Sequence, residues 1–436
     1  MASDTPLSTR DLILYSVYLR AHTPEGTFRA LIPDLDRIRA LGADVIWLMP
    51  IHPIGVQGKK GSLGCPYANR DYRSVNPEYG TLEDFRALVE AIHRRDMRCI
   101  IDVVYNHTSP DAVLTKEHPE FYYRRSDGSF GNKTADWTDV IDLDYSCAAL
   151  WDYQIESLRY WAGIVDGFRC DVASLIPAAF WRRARAAVAE VRPDCLWLAE
   201  SVHSSFNVFN RMHGVPAATD SELFTAFDME YDYDIRDSFD AFLDGRDTLS
   251  HYLDMLNFQE AIYPDNYTKL RCLENHDQRR IADRAPGEKE LENLTAFLYF
   301  LKGAALLYAG QEFACTHTPS LFEKEVFPRD TGRDLSSLLR TLGRIKKEVL
   351  SSADWFHGTA DDKRQIAVLE RTDGQTKKLG VFSLRGRSGT VKVPLPDGEY
   401  KNLLTGRGVQ IKNGVLHCGG RPIVLTATEI ESCKRR

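Results

Sequence analysis

Gly167-Phe168-Arg169-Cys170-Asp171 sets two charged side chains at alternate positions of a short run that otherwise reads as a buried strand. Side chains two apart share one face of an extended chain, so Arg169 and Asp171 point the same way and the guanidinium can keep the carboxylate ionised. Burying such groups is unfavourable unless they are paired or used. The same design recurs elsewhere. Asp102 opens Asp102-Val103-Val104-Tyr105-Asn106-His107, Glu200 ends Leu196-Trp197-Leu198-Ala199-Glu200, and His276 and Asp277 end Leu273-Glu274-Asn275-His276-Asp277. Each charge lies in or just after an apolar strand-like run.

Working outward, short apolar runs alternate with longer amphipathic stretches, the pattern of repeated strand-helix units around a parallel sheet. The runs are Leu12 to Leu19, Ala43 to Met49, Arg98 to Tyr105, Gly167 to Val172, Cys195 to Glu200, Leu223 to Tyr231, Lys269 to Leu273 and Ala305 to Tyr308. Between the first two, Gly26 to Leu35 carries apolar residues at helical spacing and continues to a C-terminal Gly42. The interval Thr108 to Cys147, rich in Asp, Tyr, Gly and Trp, has no helical period, and a loop that long is usually functional. A helix is expected near Leu338 to Val349. From residue 358, alternating runs broken by Gly and Asp turns (Gln365 to Leu369, Lys378 to Ser383, Thr390 to Val393, Gly408 to Ile411, Pro422 to Thr426) read as a small antiparallel β domain.

The expected architecture is therefore α/β: a (β/α)8 TIM barrel over 1–107 and 148–357, a short inserted loop domain over 108–147 after strand three, and a C-terminal β sandwich over 358–436. In such a barrel the carboxyl ends of the strands converge on one face, so Asp171, Glu200 and Asp277 can meet there.

Composition narrows the partners. A net charge of -7 and a pI near 6.0 leave no basic footprint for nucleic acid or an anionic membrane. Aromatic residues at 11% leave Tyr and Trp for stacking on a neutral ligand. Met1 to Arg10 lacks the hydrophobic run of a leader and no stretch reaches membrane-spanning length, so a soluble cytoplasmic protein is expected. The nine cysteines show no metal spacing, and Cys99, Cys170, Cys195 and Cys272 read as reduced core thiols.

The four charged segments, in order and at this spacing, resemble the short conserved regions of the α-amylase family, glycoside hydrolase family 13. The resemblance extends to Pro66-Tyr67-Ala68-Asn69-Arg70-Asp71-Tyr72, Asn76-Pro77-Glu78-Tyr79-Gly80-Thr81 and Asp84-Phe85, and to Gly310-Gln311-Glu312 after the eighth run. It covers nearly the whole chain and implies roles. Asp171 would be the nucleophile, Glu200 the general acid/base, and Asp277 the residue that grips sugar hydroxyls and favours the oxocarbenium-like state. Tyr67 would stack under the sugar ring; His107, Arg169 and His276 would bind hydroxyls or set the nucleophile's charge; Asp102 would mainly brace the site. Retaining hydrolysis needs one ionised and one protonated carboxyl roughly 5 to 5.5 Å apart, which suits these assignments. Taken singly, the histidines would be satisfied core residues and Tyr67 a packing residue. Trp137, Asp136 and Asp139 are candidates for lining distant sugar sites, whereas Tyr231-Asp232-Tyr233-Asp234, following the sixth strand, is in a position to reach the cleft but reads more readily as a solvated loop.

The chain departs from the family after the nucleophile, where Asp171-Val172-Ala173-Ser174-Leu175-Ile176 lacks the Lys-His pair that many members use on the leaving-group side. Asn106, Asp136, Asp139 and Asp142 are candidate calcium ligands, but calcium takes about six to eight oxygens and no fixed ligand spacing is present, so no metal is expected. The resemblance implies a retaining α-glycosidase acting on α-1,4-linked glucose oligosaccharides (maltodextrins); a 4-α-glucanotransferase would share every catalytic residue. A non-catalytic barrel scaffold would lack the triad, and a metal-dependent hydrolase built on Asp102, His107, Asp171 and His276 is opposed by Arg169, which would repel the ion.

Overall fold

The computed structural model describes Ala2 and residues 4–134 and 137–428. Its barrel strands are β1 (Ile13–Val17), β2 (Val45–Leu48), β3 (Arg98–Val103), β4 (Gly167–Cys170), β5 (Leu196–Ala199), β6 (Met229–Tyr231), β7 (Lys269–Arg271) and β8 (Ala304–Tyr308). Their order, β1-β8-β7-β6-β5-β4-β3-β2, is that of a closed barrel, as the sequence leads one to expect. Nearly every strand residue is buried, because a parallel sheet is covered on both faces.

The chain divides into two compact units, one of Met1–Thr5, Leu14–Asp234 and Thr318–Phe327, the other of Pro6–Ile13, Ile235–His317 and Pro328–Arg436. In the first, β1 to β6 pair in parallel in chain order, with Leu48 opposite Ile101, Asp102 opposite Arg169 and Arg169 opposite Leu198. The approach of β4 to β5 depends on Gly167: a Cβ there would lie 2.2 Å from the Leu196 carbonyl oxygen. The helix Leu82–His93 starts on a capping box, Thr81 and Asp84 bonding each other's backbone N–H, and buries Phe85, Leu88, Val89 and Ile92. The inserted segment is a two-strand ribbon, His107–Thr108 against Ile141–Asp142, with one helical turn at Leu114–Glu117.

In the second unit, β7 and β8 are parallel neighbours. Beyond the helix Ser336–Glu348 come β9 (Trp355–Asp361), β10 (Ile366–Thr372), β11 (Thr376–Ser383), β12 (Gly389–Lys392), β13 (Gly398–Lys401), β14 (Gly408–Lys412), β15 (Val415–Cys418) and β16 (Ile423–Thr428). Two antiparallel sheets, β9-β10-β11-β16 and β12-β15-β14-β13, share a core that includes Val368, Val381 and Leu425 from one and Val391, Ile411 and Leu416 from the other. Asn257 ties this domain to the helix Leu249–Ile262, its amide bonding both the N–H and the carbonyl of Gly358 at 2.8 Å.

Two local readings in the barrel are corrected. The sixth run was expected from Leu223, but Asp220–Leu223 is a helical turn started by a Thr219–Glu222 capping box, and the strand begins at Met229. Tyr231-Asp232-Tyr233-Asp234 is no solvated loop: Tyr231 ends β6, Asp232 and Tyr233 are buried, and Tyr233 stacks on His203 at 4.6 Å while starting the helix Tyr233–Leu243. Cys99, Cys170, Cys195 and Cys272 are buried thiols, not halves of disulfides. Among the described residues no helix is long and apolar enough to cross a membrane.

Candidate active site

In the first unit the site is built at the carboxyl ends of β3, β4 and β5. Backbone bonds carry the ladder one step past the strands, Asp171 N–H to Val103 O and Glu200 N–H to Cys170 O, both 3.0 Å, which brings these side chains to one level. Asp102 and Arg169 are fully buried, and Asp171 and Glu200 nearly so. Arg169 Nη1 donates to Asp102 Oδ1 and to Asp171 Oδ1, each at 2.8 Å, and Nη2 lies 2.9 Å from Glu200 Oε2. One guanidinium thus reaches three carboxylates. Burial works against its charge, but Asp102 and Glu200 more than restore it, and Arg169 stays well above the usual arginine value.

Aromatic rings enclose this cation. Trp47, Tyr231 and Tyr67 hold it at 5.3, 5.5 and 5.7 Å from their centroids, within cation–π range. The half-buried Tyr67 also donates its hydroxyl to Asp102 Oδ2 at 3.0 Å. His107 is buried, bonds the Tyr67 backbone and packs at 5.2 Å on Trp137. Burial lowers the His107 pKa, with Asp142, Asp139 and Glu200 opposing, which favours the neutral imidazole. The first unit therefore brings together Tyr67, Asp102, His107, Arg169, Asp171 and Glu200. In the second unit His276 and Asp277 follow β7; His276 is buried with Nε2 3.0 Å from Asp277 Oδ2, and the Asp277 side chain is 46% exposed. The Asp277 N–H is held by Asn275 Oδ1 at 2.9 Å.

Three of the candidate calcium ligands lie among the described residues and each has a protein partner, Asn106 facing His107 Nδ1 at 3.2 Å. Asp136 lies outside the described residues, and Asp139 pairs with Lys60 at 2.8 Å. Asp142 Oδ2 accepts the Lys133 N–H at 2.7 Å and Oδ1 accepts Asn132 Nδ2 at 3.3 Å. Lys133 Nζ donates to Leu143 O at 2.7 Å. Among the described residues no group of three or more His, Cys, Asp or Glu is arranged to hold a metal.

Sequence reasoning missed Trp47 and Tyr231, whose positions in apolar strands give them no chemical signature. It also missed a cavity of about 560 Å³ beyond β4, lined by Ser174, Leu175, Ile176, Tyr145, Lys133 and Arg211. Loops separated by tens of residues build it, so no motif marks it.

Residues 8–347 match the family model for the α-amylase catalytic domain, and residues 357–425 that for the bacterial α-amylase C-terminal domain. The crystal structure of an α-amylase from Lactobacillus plantarum superposes with TM-score 0.92 and 41% identity, covering 97% of this chain and 100% of that one. A noncanonic maltogenic α-amylase, AmyB from Thermotoga neapolitana, gives 0.86 and 32%, covering 97% and 99%. Among curated relatives, the α-amylase MalA of Haloarcula japonica is 28% identical over 71% of this chain, and the α-1,4-glucan:maltose-1-phosphate maltosyltransferase 1 of Streptomyces coelicolor 27% identical over 86%. The chain spans 45% and 58% of the lengths of those two proteins.

Proposed function

Because this chain belongs to the α-amylase family, glycoside hydrolase family 13, we propose that it is a retaining α-glycosidase that cleaves α-1,4-linked glucose oligosaccharides. The observation that carries this is Arg169 gripping Asp171 and Glu200 from one buried guanidinium. Asp171 attacks the anomeric carbon while Glu200 gives its proton to the departing oxygen; water then reverses the exchange through Glu200 acting as base. Asp277 and His276 bind ring hydroxyls, Tyr67 supports the sugar ring, His107 contributes to the hydroxyl site as a neutral imidazole, and Asp102 braces Arg169. The matched models, ending at 347 and beginning at 357, support a boundary near 358 between barrel and β domain, with 108–147 as the insert. No metal takes part in this reading, and the cytoplasm is its setting, which the 24% identity to the intracellular maltogenic amylase of Bacillus subtilis supports.

Glycosyl transfer is the second reading, favoured by the cavity beyond β4: Ser174 and Leu175 stand where many members carry Lys-His, and an acceptor sugar could compete with water there. Incubation with maltose to maltoheptaose, pullulan and trehalose, followed by chromatography over time, separates the two. Hydrolysis yields only products shorter than the substrate. Early appearance of longer oligosaccharides would replace hydrolysis by transfer, and no reaction on any maltooligosaccharide would remove both.

A further inference from the structure

Val172, immediately after Asp171, has φ 35° and ψ 46°. The left-handed region is sterically disfavoured for any side chain, and for a β-branched one it is a genuine outlier that persists only where surrounding contacts over-determine it. Core packing does not account for a valine here, since its side chain is only partly buried. The surrounding contacts are polar. The Val172 N–H donates to Glu200 Oε2 at 2.7 Å, and the next N–H, of Ala173, donates to the Glu200 carbonyl at 3.1 Å. Leu175 N–H closes the turn on Val172 O at 2.9 Å, and the Trp181 indole fixes Ala173 O at 3.1 Å. The Asp171 N–H bonds Val103 on β3, so strand alternation turns the next N–H, of Val172, toward β5, where the Glu200 carboxyl receives it; the left-handed turn at Val172 then carries the chain off the sheet.

Val172 N–H and Arg169 Nη2 both approach the same oxygen, Oε2. An oxygen that already accepts an N–H and faces a guanidinium is the less favourable of the two for a proton of its own. We propose that Val172 is a positioning residue whose N–H, donated to Glu200 Oε2, assigns the transferable proton to Oε1. The inference rests on Glu200 being the acid/base of the proposed reaction. In the first step the Oε1 proton passes to the glycosidic oxygen as its bond to the anomeric carbon breaks and the bond to Asp171 forms. In the second, water gives a proton back to Oε1 and its hydroxyl to the anomeric carbon as the bond to Asp171 breaks and that carboxylate is released.

The test deletes the donor and keeps the side chain. Incorporating the α-hydroxy acid analogue of valine at position 172 turns that amide into an ester in the full chain. Hydrolysis of maltopentaose, whose leaving group needs the proton, should fall roughly 10- to 100-fold in kcat/KM, the effect of one charge-assisted hydrogen bond, while α-maltosyl fluoride should lose less than about threefold. V172G restores the N–H in a backbone that accepts positive φ, and should recover to within about threefold on both substrates. Equal losses on the two substrates, or no loss on maltopentaose, would overturn the proposal, as would V172G behaving like the ester. E200Q separates failures: if it harms both substrates equally, Glu200 is not the acid and the underlying reading falls with this one. Should the ester chain not fold, hydrogen exchange decides. The Val172 amide of the wild type should be protected, and E200A should cut that protection at least about tenfold with Leu175 unaffected; unchanged protection would overturn it.

Discussion

Replacing Arg169 by lysine keeps the charge and removes the fork. The guanidinium spans Asp102 Oδ1 and Asp171 Oδ1 at 2.8 Å and Glu200 Oε2 at 2.9 Å, with two nitrogens sharing the work. A lysine ammonium is a single point of charge on a shorter planar reach, so at least one carboxylate loses its partner. A hydrogen bond to a charged group contributes about 1.5–3 kcal/mol, and about 1.4 kcal/mol corresponds to a factor of ten. If the lost partner serves Asp171 or Glu200, kcat/KM on maltopentaose should fall roughly 10- to 150-fold. If it serves Asp102, buried without exposure, the loss appears in stability, because an uncompensated buried carboxylate is destabilising by about 3–5 kcal/mol. Steady-state kinetics and chemical denaturation of the same variant therefore bracket the effect. R169K with kcat/KM within threefold of wild type and an unshifted denaturation midpoint would refute the reasoning.

Three further outcomes are expected. Activity and thermal midpoint should be insensitive to EDTA, because the Lys60 ammonium pairs with Asp139 and the Lys133 N–H bonds Asp142; a midpoint that drops by several degrees and recovers with calcium contradicts this. His52 is buried, donates Nδ1–H to Ser74 O at 2.9 Å, and has its pKa lowered by burial to about 4, with Ser74 and Asp71 opposing. Its folded value lies below the unfolded value of about 6.5, so the unfolded chain takes up the proton first and stability is lost as pH falls between those values. His52→Gln should flatten the stability profile over that window, and an unchanged slope would count against it. Gly167→Ala should be strongly destabilising, since the added methyl lies 2.2 Å from the Leu196 carbonyl oxygen; solubility and circular dichroism report it, and a normal midpoint would show that β4 and β5 can separate.

How much of this was legible in the residues follows from where charge meets burial. Asp102, Arg169, Asp171 and Glu200 could be read because a charged side chain closing an apolar strand violates the usual partition and demands a reason. His107 and His276 carry no such signal alone and depended on the company they keep. The sixth strand was overextended because Leu223, Phe224 and Phe227 are apolar for a different purpose, packing a helical turn and the chain after it into the core. In the β domain, β9 escaped notice because Trp355–Asp361 alternates exposed and buried positions using His, Gly and Thr, which leave little apolar pattern. The backbone of Val172 was beyond reach of the sequence, since a valine after Asp171 reads as one more strand residue.

The central claim is a double displacement on Asp171, and the anomeric configuration of the first-formed product tests it most directly. Proton NMR of maltopentaose hydrolysis, recorded before mutarotation, should show the new reducing end appearing as the α-anomer, because two inversions restore the starting configuration. A β-anomer appearing first would mean a single inversion, and would remove Asp171 as nucleophile.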